Sequence, residues 1–128
     1  MPITSDYWGA NGFGRSFVPE PIPETIRFRS VTDWRYEKLL TFSEMAEIFR
    51  QSLPQGYNGF HIDDLSIYQD ELASCGDLRY QIAREGSVAI YVHSNAQSFR
   101  YLLRTVFHNC SADEIDWVDD HILRVWWD

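Results

Sequence analysis

The chain has 128 residues and a formal net charge of −8, from nineteen acidic and eleven basic side chains. Hydrophobic residues make up 45% and charged residues 23%, a balance typical of one globular domain and unlike that of a disordered chain. The acidic excess, with a single lysine, disfavours binding to nucleic acid or to anionic membranes and favours basic proteins as partners.

Cellular location is predicted from the cysteines and the N-terminal sequence. Cys75 and Cys110 show no metal-ligand or redox spacing, so we expect two free, buried thiols in a reducing compartment. The N-terminus lacks the basic-then-apolar pattern of a signal peptide, and no apolar run approaches membrane-spanning length. We therefore expect a cytoplasmic protein, and no motif calls for a cofactor.

Residues 1–25 show no periodicity: glycines alternate with aromatic residues, and Pro19, Pro21 and Pro23 follow. We predict an aromatic, proline-rich arm laid across the domain, because prolines favour an extended path and aromatic side chains need packing partners. A phosphate-binding loop is disfavoured, since the glycines follow no strand and no Gly-Lys-Ser/Thr ending is present. Thr25–Val31 alternates apolar and polar residues and is predicted as the first strand.

The next predicted element is a helix that begins after Thr41. Thr41 and Glu44 have the spacing of a capping box, and Pro54 ends the pattern. Its apolar stripe consists of Phe42, Met45, Ala46, Phe49 and Leu53.

A loop with Gly56 and Gly59 then leads to a short acidic helix, predicted from an N-cap at Asp63 to about Ala73. Its outward residues would be Asp63, Ile67, Asp70 and Glu71. Residues 78–84 and 87–93 alternate as strands across a short turn, which predicts an antiparallel hairpin.

Two further helices are predicted from capping boxes. Ser94 with Gln97 opens a continuous helix over 94–109, and Ser111 with Glu114 opens a short acidic helix. The second helix would place Asp113, Asp116 and Asp120 on one face. The β-rich segment 121–127 is predicted as the last strand.

These elements predict a single α+β domain over residues 1–128, with a mixed four-stranded sheet and helices mainly on one face. A split βαββαβ (ferredoxin-like) arrangement is the leading topology. Its last β-α-β unit would be a right-handed crossover, with the 87–93 strand and the final strand parallel.

The segment Leu53–Leu72 carries a family resemblance. Leu53-Pro54, then Tyr57 and Asn58, then Asp63-Asp64-Leu65 loosely follow the helix–loop–helix pattern of barstar-like immunity proteins, although Ser66 or Ile67 replaces the family's Trp. The later strand, helix and strand follow the same order, so a barstar-like layout is the alternative topology. The resemblance implies a loop and acidic helix that plug the active site of a basic ribonuclease, with Tyr57, Asp63 and Asp70 in contact.

The leading functional hypothesis is a small acidic inhibitor that binds and occludes a basic protein, as an immunity protein neutralising a nuclease-type toxin. A related alternative is a phage-type DNA-mimic inhibitor of a nucleic-acid-binding defence complex, anti-CRISPR-like, in which acids including Asp119 replace phosphates. The candidate partner-binding residues are Tyr57, Asp63, Asp64, Ile67, Asp70, Glu71, Asp113, Asp116 and Asp120.

Two other classes stay open. A small metal- or ligand-binding enzyme would use His61, His93 and nearby acids, although the chain has no nucleophile elbow, so we do not expect catalysis. Cys110 and His108 sit close in sequence without a sign of activation. An assembly subunit would dock through the N-terminal arm.

Overall fold

The computed structural model describes residues 16–18, 33–94 and 99–128. Helices and strands occur in one chain, which confirms the predicted α+β class. The elements are β1 Ser16–Val18, β2 Trp34–Tyr36, α1 Phe42–Ser52, α2 Ile62–Ser66, α3 Gln69–Ala73, β3 Arg79–Arg84, β4 Val88–His93, α4 Arg100–Asn109, β5 Glu114–Asp119 and β6 Ile122–Trp126.

One sheet joins the strands in the order β1-β2-β3-β4-β6-β5. The pairs β2–β3, β3–β4, β4–β6 and β6–β5 are all antiparallel. The short strand β1 pairs with β2 in parallel. The described residues thus form six strands rather than the predicted four. The predicted strand Thr25–Val31 lies outside the described residues, as does the predicted arm of residues 1–25 apart from β1.

The β3–β4 hairpin is confirmed as antiparallel, with Ile82 opposite Ile90 in register. Alternate residues of these strands point to opposite faces of the sheet. Tyr80, Ile82 and Ile90 join the main core with the buried residues of α1 and α4, whereas Ala83 and Tyr91 form a second cluster with Ala89 and Ile122. Both faces of these strands are therefore buried.

The prediction that the 87–93 strand and the last strand are parallel is wrong, because β6 pairs antiparallel with β4. The chain leaves β4, passes through α4 and enters β5, which turns back sharply into β6. Since β6 is antiparallel to both neighbours, β4 and β5 run in the same direction with β6 between them. The helical crossover therefore joins β4 to β5, and the additional hairpin reverses the final strand.

The capping box of α1 is confirmed. The Thr41 hydroxyl accepts the Glu44 amide hydrogen at 3.2 Å, and the Glu44 carboxylate accepts the Thr41 amide hydrogen at 2.9 Å. This backbone hydrogen bond from Thr41 holds the pKa of Glu44 below its usual value. Helix α1 begins and ends as its sequence predicts, at Thr41 and just before Pro54.

Two other helix predictions are wrong. Helix α4 begins at Arg100 with Phe99 at its N-cap, not after Ser94 as predicted; residues 95–98, which include Gln97 of the predicted capping box, lie outside the described residues. The segment predicted as an acidic helix is strand β5, in which Ile115 and Trp117 pack against the main core and Glu114 and Asp116 are exposed. Polar and apolar residues alternate along this segment, and pairing with β6 makes it a strand despite the capping-box spacing of Ser111 and Glu114.

Candidate functional site

The loop before α2 is folded into a tight turn at Tyr57–Phe60. The Tyr57 and Phe60 backbones exchange two hydrogen bonds, at 2.9 and 3.0 Å, around Asn58 in a left-handed conformation with φ 55°. The Asn58 side-chain amide donates to the Ser87 hydroxyl at 2.7 Å. The loop is therefore tied to the β3–β4 turn by a side-chain hydrogen bond.

Gly56 sets the approach of this loop to α2. Its φ is +76°, and a Cβ atom at this position would lie 2.5 Å from the Phe60 carbonyl oxygen and 3.1 Å from Cδ2 of His61. A side chain would therefore clash with the backbone and meet the imidazole. The close packing of the loop on His61 requires glycine here.

Helix α2 starts two positions earlier than predicted, with His61 as the N-cap instead of Asp63. His61 Nδ1 accepts the Asp63 amide hydrogen at 3.1 Å. The predicted single helix is also two short ones, because α2 ends at Ser66 and α3 starts after Tyr68. Leu65 and Leu72 anchor them in the core.

We call Asp63, Asp64, Ile67, Asp70 and Glu71 the α2–α3 surface. The four acids lie in the first turns of the two helices and are exposed, and Ile67 between the helices is 74% exposed. The structure therefore keeps these five predicted contact residues on one short exposed segment. The sixth, Tyr57, is half-buried and packs partly against the main core.

Within the described residues, no arginine or lysine forms an ion pair with the acids of the α2–α3 surface. The contact closest to an ion pair is with His61, whose Nδ1 lies 3.7 Å from Asp63 Oδ2 and carries a charge only when the imidazole is protonated. Arg50 approaches from α1, but its Nη2 contacts the Ser66 hydroxyl at 3.5 Å. The exposed carboxylates therefore give this surface a negative potential.

The second predicted acidic set does not form one face. Asp113 and Asp120 lie near opposite ends of the β5–β6 hairpin. Seven residues of extended strand separate two positions by roughly 23 Å, whereas seven residues of helix would separate them by about 10 Å. Asp116 Oδ2 lies 3.4 Å from Arg124 Nη1, and the Asp113 carboxylate accepts the Asp128 amide hydrogen at 2.8 Å. These acids are separated, and two of them have partners within the fold.

Sequence reasoning missed a charge cluster around Arg124 on the second sheet face. Its guanidinium bonds Glu85 at 2.8 Å and Glu114 at 2.8 Å, and the Tyr91 hydroxyl donates to the other Glu85 oxygen. Burial alone would lower the pKa of Arg124, but hydrogen bonds and attraction from Glu114 and Glu85 raise it above its usual value. The cluster links β6 to β5 and to the β3–β4 turn. It depends on the register between these strands, which the sequence alone does not reveal.

The histidines proposed for an enzyme do not converge. His61 caps α2 in the helical layer, whereas His93 ends β4 and by alternation lies on the second sheet face with Tyr91. Burial lowers the pKa of His93 to about 4, against the opposing attraction of Asp119. Within the ranges that the structure describes, no group of three or more His, Cys, Asp and Glu could hold a metal ion.

Both cysteines are buried and unbridged. Burial, with the nearby Asp64 charge, raises the pKa of Cys110 to about 11, and burial also raises that of Cys75. Thiols with raised pKa values are poor nucleophiles at neutral pH. The Cys110–His108 pair thus carries no activated thiol.

No helix among the described residues is both long and apolar enough to cross a membrane. Comparison with protein-family models, with curated proteins and with solved structures found no match to this chain.

Proposed function

We propose that this protein is a small acidic inhibitor that binds and occludes a basic protein partner through the α2–α3 surface. The partner proposed is a nuclease-type toxin, as the barstar-like pattern of the loop and acidic helix implies. The observation that carries the proposal is Ile67, exposed between two pairs of acids that have no arginine or lysine partner among the described residues.

Charge supports the choice of surface. Exposed like charges steer an oppositely charged partner and raise association rates from about 10⁵–10⁶ to as much as about 10⁸–10⁹ M⁻¹s⁻¹ at low salt. At β5, Arg124 partly neutralises Glu114 and Asp116. In the part of the chain that the structure describes, no arginine or lysine pairs with the acids of the α2–α3 surface, so each acid there contributes more to the negative field.

Ile67 supports a specific contact in addition to steering. An exposed isoleucine gains about 1.5–3 kcal/mol when it is fully buried. Interfaces concentrate their energy in a few such central residues surrounded by polar ones. We therefore place Ile67 at the centre of the contact and the acids at its rim.

The DNA-mimic alternative has less support. It requires closely spaced, uncompensated carboxylates, whereas Asp113, Asp116 and Asp120 lie on an extended hairpin and Asp116 faces Arg124. The β5 acids therefore serve as the comparison in the test.

The test measures association with a basic protein recovered from the native host by pull-down, or with the product of an adjacent gene. One variant reverses Asp63, Asp64 and Asp70 to Lys, and the comparison reverses Asp113, Asp116 and Asp120. We expect the first to slow association at least about tenfold at low salt, with a smaller effect at high salt where the Debye length is short. Ile67→Ala should instead raise the dissociation rate, by about tenfold for a loss near 1.4 kcal/mol.

A larger effect from the β5 variant would support phosphate mimicry instead. Equal, salt-independent association of both variants and wild type would exclude an electrostatic contact at either surface. Thermal unfolding of each variant provides the folding control.

A further inference from the structure

His61 occupies the junction between the Tyr57 loop and the α2–α3 surface. Its side chain is 33% exposed, and its Nδ1 atom faces both the backbone amide and the carboxylate of Asp63. It accepts the Asp63 amide hydrogen at 3.1 Å, and it lies 3.7 Å from the Asp63 carboxylate. A Cβ atom at Gly56 would lie 3.1 Å from Cδ2 of His61, so the loop passes close to the imidazole ring.

The two contacts require opposite protonation states of His61. An unprotonated Nδ1 accepts the amide hydrogen, whereas both ring nitrogens of an imidazolium are donors. Protonation therefore removes the cap at the start of α2 and creates a donor facing the Asp63 carboxylate. A positive charge at a helix N-terminus is also unfavourable.

We propose that His61 is a proton-operated switch of the α2–α3 surface. In the neutral state it caps α2 and leaves the Asp63 carboxylate available to a partner. In the protonated state it releases the amide and pairs with that carboxylate, so the first turn of α2 loses its cap and the surface loses one negative charge. The consequence for binding rests on the proposed function, whereas the exchange of hydrogen bonds does not.

The ionisable groups on the elements around His61 are a phenol, carboxylates and a guanidinium. The loop brings one titratable side chain, Tyr57, and α2 brings Asp63 and Asp64. From α1, which packs against α2, the Arg50 guanidinium contacts the Ser66 hydroxyl at the other end of α2. Carboxylates, phenols and guanidinium groups change charge outside the interval of about pH 5–8 in which histidine does.

The first test needs no partner and uses NMR of the whole chain between about pH 8 and pH 5. We expect the neutral His61 ring to carry its proton on Nε2, and the Asp63 amide-proton shift to follow the His61 ring titration. His61→Asn is the matched variant, because asparagine caps helices well and does not titrate. In this variant the Asp63 amide should keep one shift throughout.

His108→Asn is the control, since His108 is an exposed histidine on another helix, α4. It should behave as wild type. A wild-type Asp63 amide that is independent of pH, or one that titrates equally in His61→Asn, would overturn the proposal.

The second test measures partner affinity at about pH 7.5 and pH 5.5. Wild type and His108→Asn should bind about fivefold more weakly at the lower pH, and His61→Asn should show a smaller change. If the amide titrates but the surface binds no partner, the switch stands and the proposed function fails. If binding occurs without any amide titration, the proposed function stands and the switch fails.

Discussion

Replacement of Glu85 by alanine should be among the costlier single changes outside the apolar core. The Glu85 side chain is 4% exposed and shares one oxygen with Arg124 Nε and Nη2 at 2.8 Å. Its other oxygen accepts from the Tyr91 hydroxyl, which is fully buried. Glu85→Ala removes a buried carboxylate, and with it the contacts that this carboxylate makes with Arg124 and Tyr91.

The expected loss in the free energy of unfolding depends on the contacts that Arg124 and Tyr91 keep in the variant. Breaking a buried ion pair by removing one member costs about 3–5 kcal/mol, but Arg124 keeps Glu114 at 2.8 Å, so we use the lower end. Loss of the Glu85 acceptor for the Tyr91 hydroxyl costs about 1–3 kcal/mol, and it overlaps with the first value because both concern one carboxylate. We expect a loss of about 3 kcal/mol in the free energy of unfolding for Glu85→Ala.

Glu114→Ala is the matched control, because it removes the exposed carboxylate from the same guanidinium. Exposed ion pairs contribute about 0–1 kcal/mol, so its cost should stay below about 1 kcal/mol. Urea denaturation at equilibrium measures both, with an unchanged slope showing that the comparison is valid. A loss for Glu85→Ala no greater than that for Glu114→Ala would refute the view that burial makes this contact strong.

Two further predictions concern the loop and the sheet edge. Gly56→Ala should destabilise the chain by about 2 kcal/mol or more in urea, because the positive φ and the approach to the Phe60 carbonyl both disfavour a Cβ; a loss below about 0.5 kcal/mol would contradict this. Arg104→Ala should promote self-association in sedimentation, since Arg104 donates to the Ile115 carbonyl of edge strand β5 at 2.7 Å and covers a group that another strand could pair with. A variant that stays as monomeric as a Tyr101→Ala control would show that the edge is protected by other means.

The elements that the sequence predicts well are those whose partners lie a few residues away. The Thr41–Glu44 capping box needs contacts across three positions, and the β3–β4 hairpin pairs residues across one short turn. The exposed acids of α2 and α3 belong to this class too, because each lies in the first turn of its own helix.

The errors arise where two local signals compete. Ser111 and Glu114 have capping-box spacing, while Glu114 to Trp117 alternate polar and apolar residues as a strand does. Pairing with β6 decides between them, because it buries Ile115 and Trp117 against the main core. Without knowledge of β6 as a neighbour, neither signal outweighs the other.

By itself, the sequence determined the α+β class, helix α1, the central hairpin and the acidic character of the α2–α3 segment, since each rests on local periodicity, capping or composition. Tertiary structure decided the strand order, the direction of β6 and the fate of the individual acids. Glu85 and Arg124 are 39 residues apart in sequence and meet only through the pairing of β4 with β6. The physical reason is that burial and charge pairing across strands depend on register, and a sequence read along one strand carries no record of its neighbour.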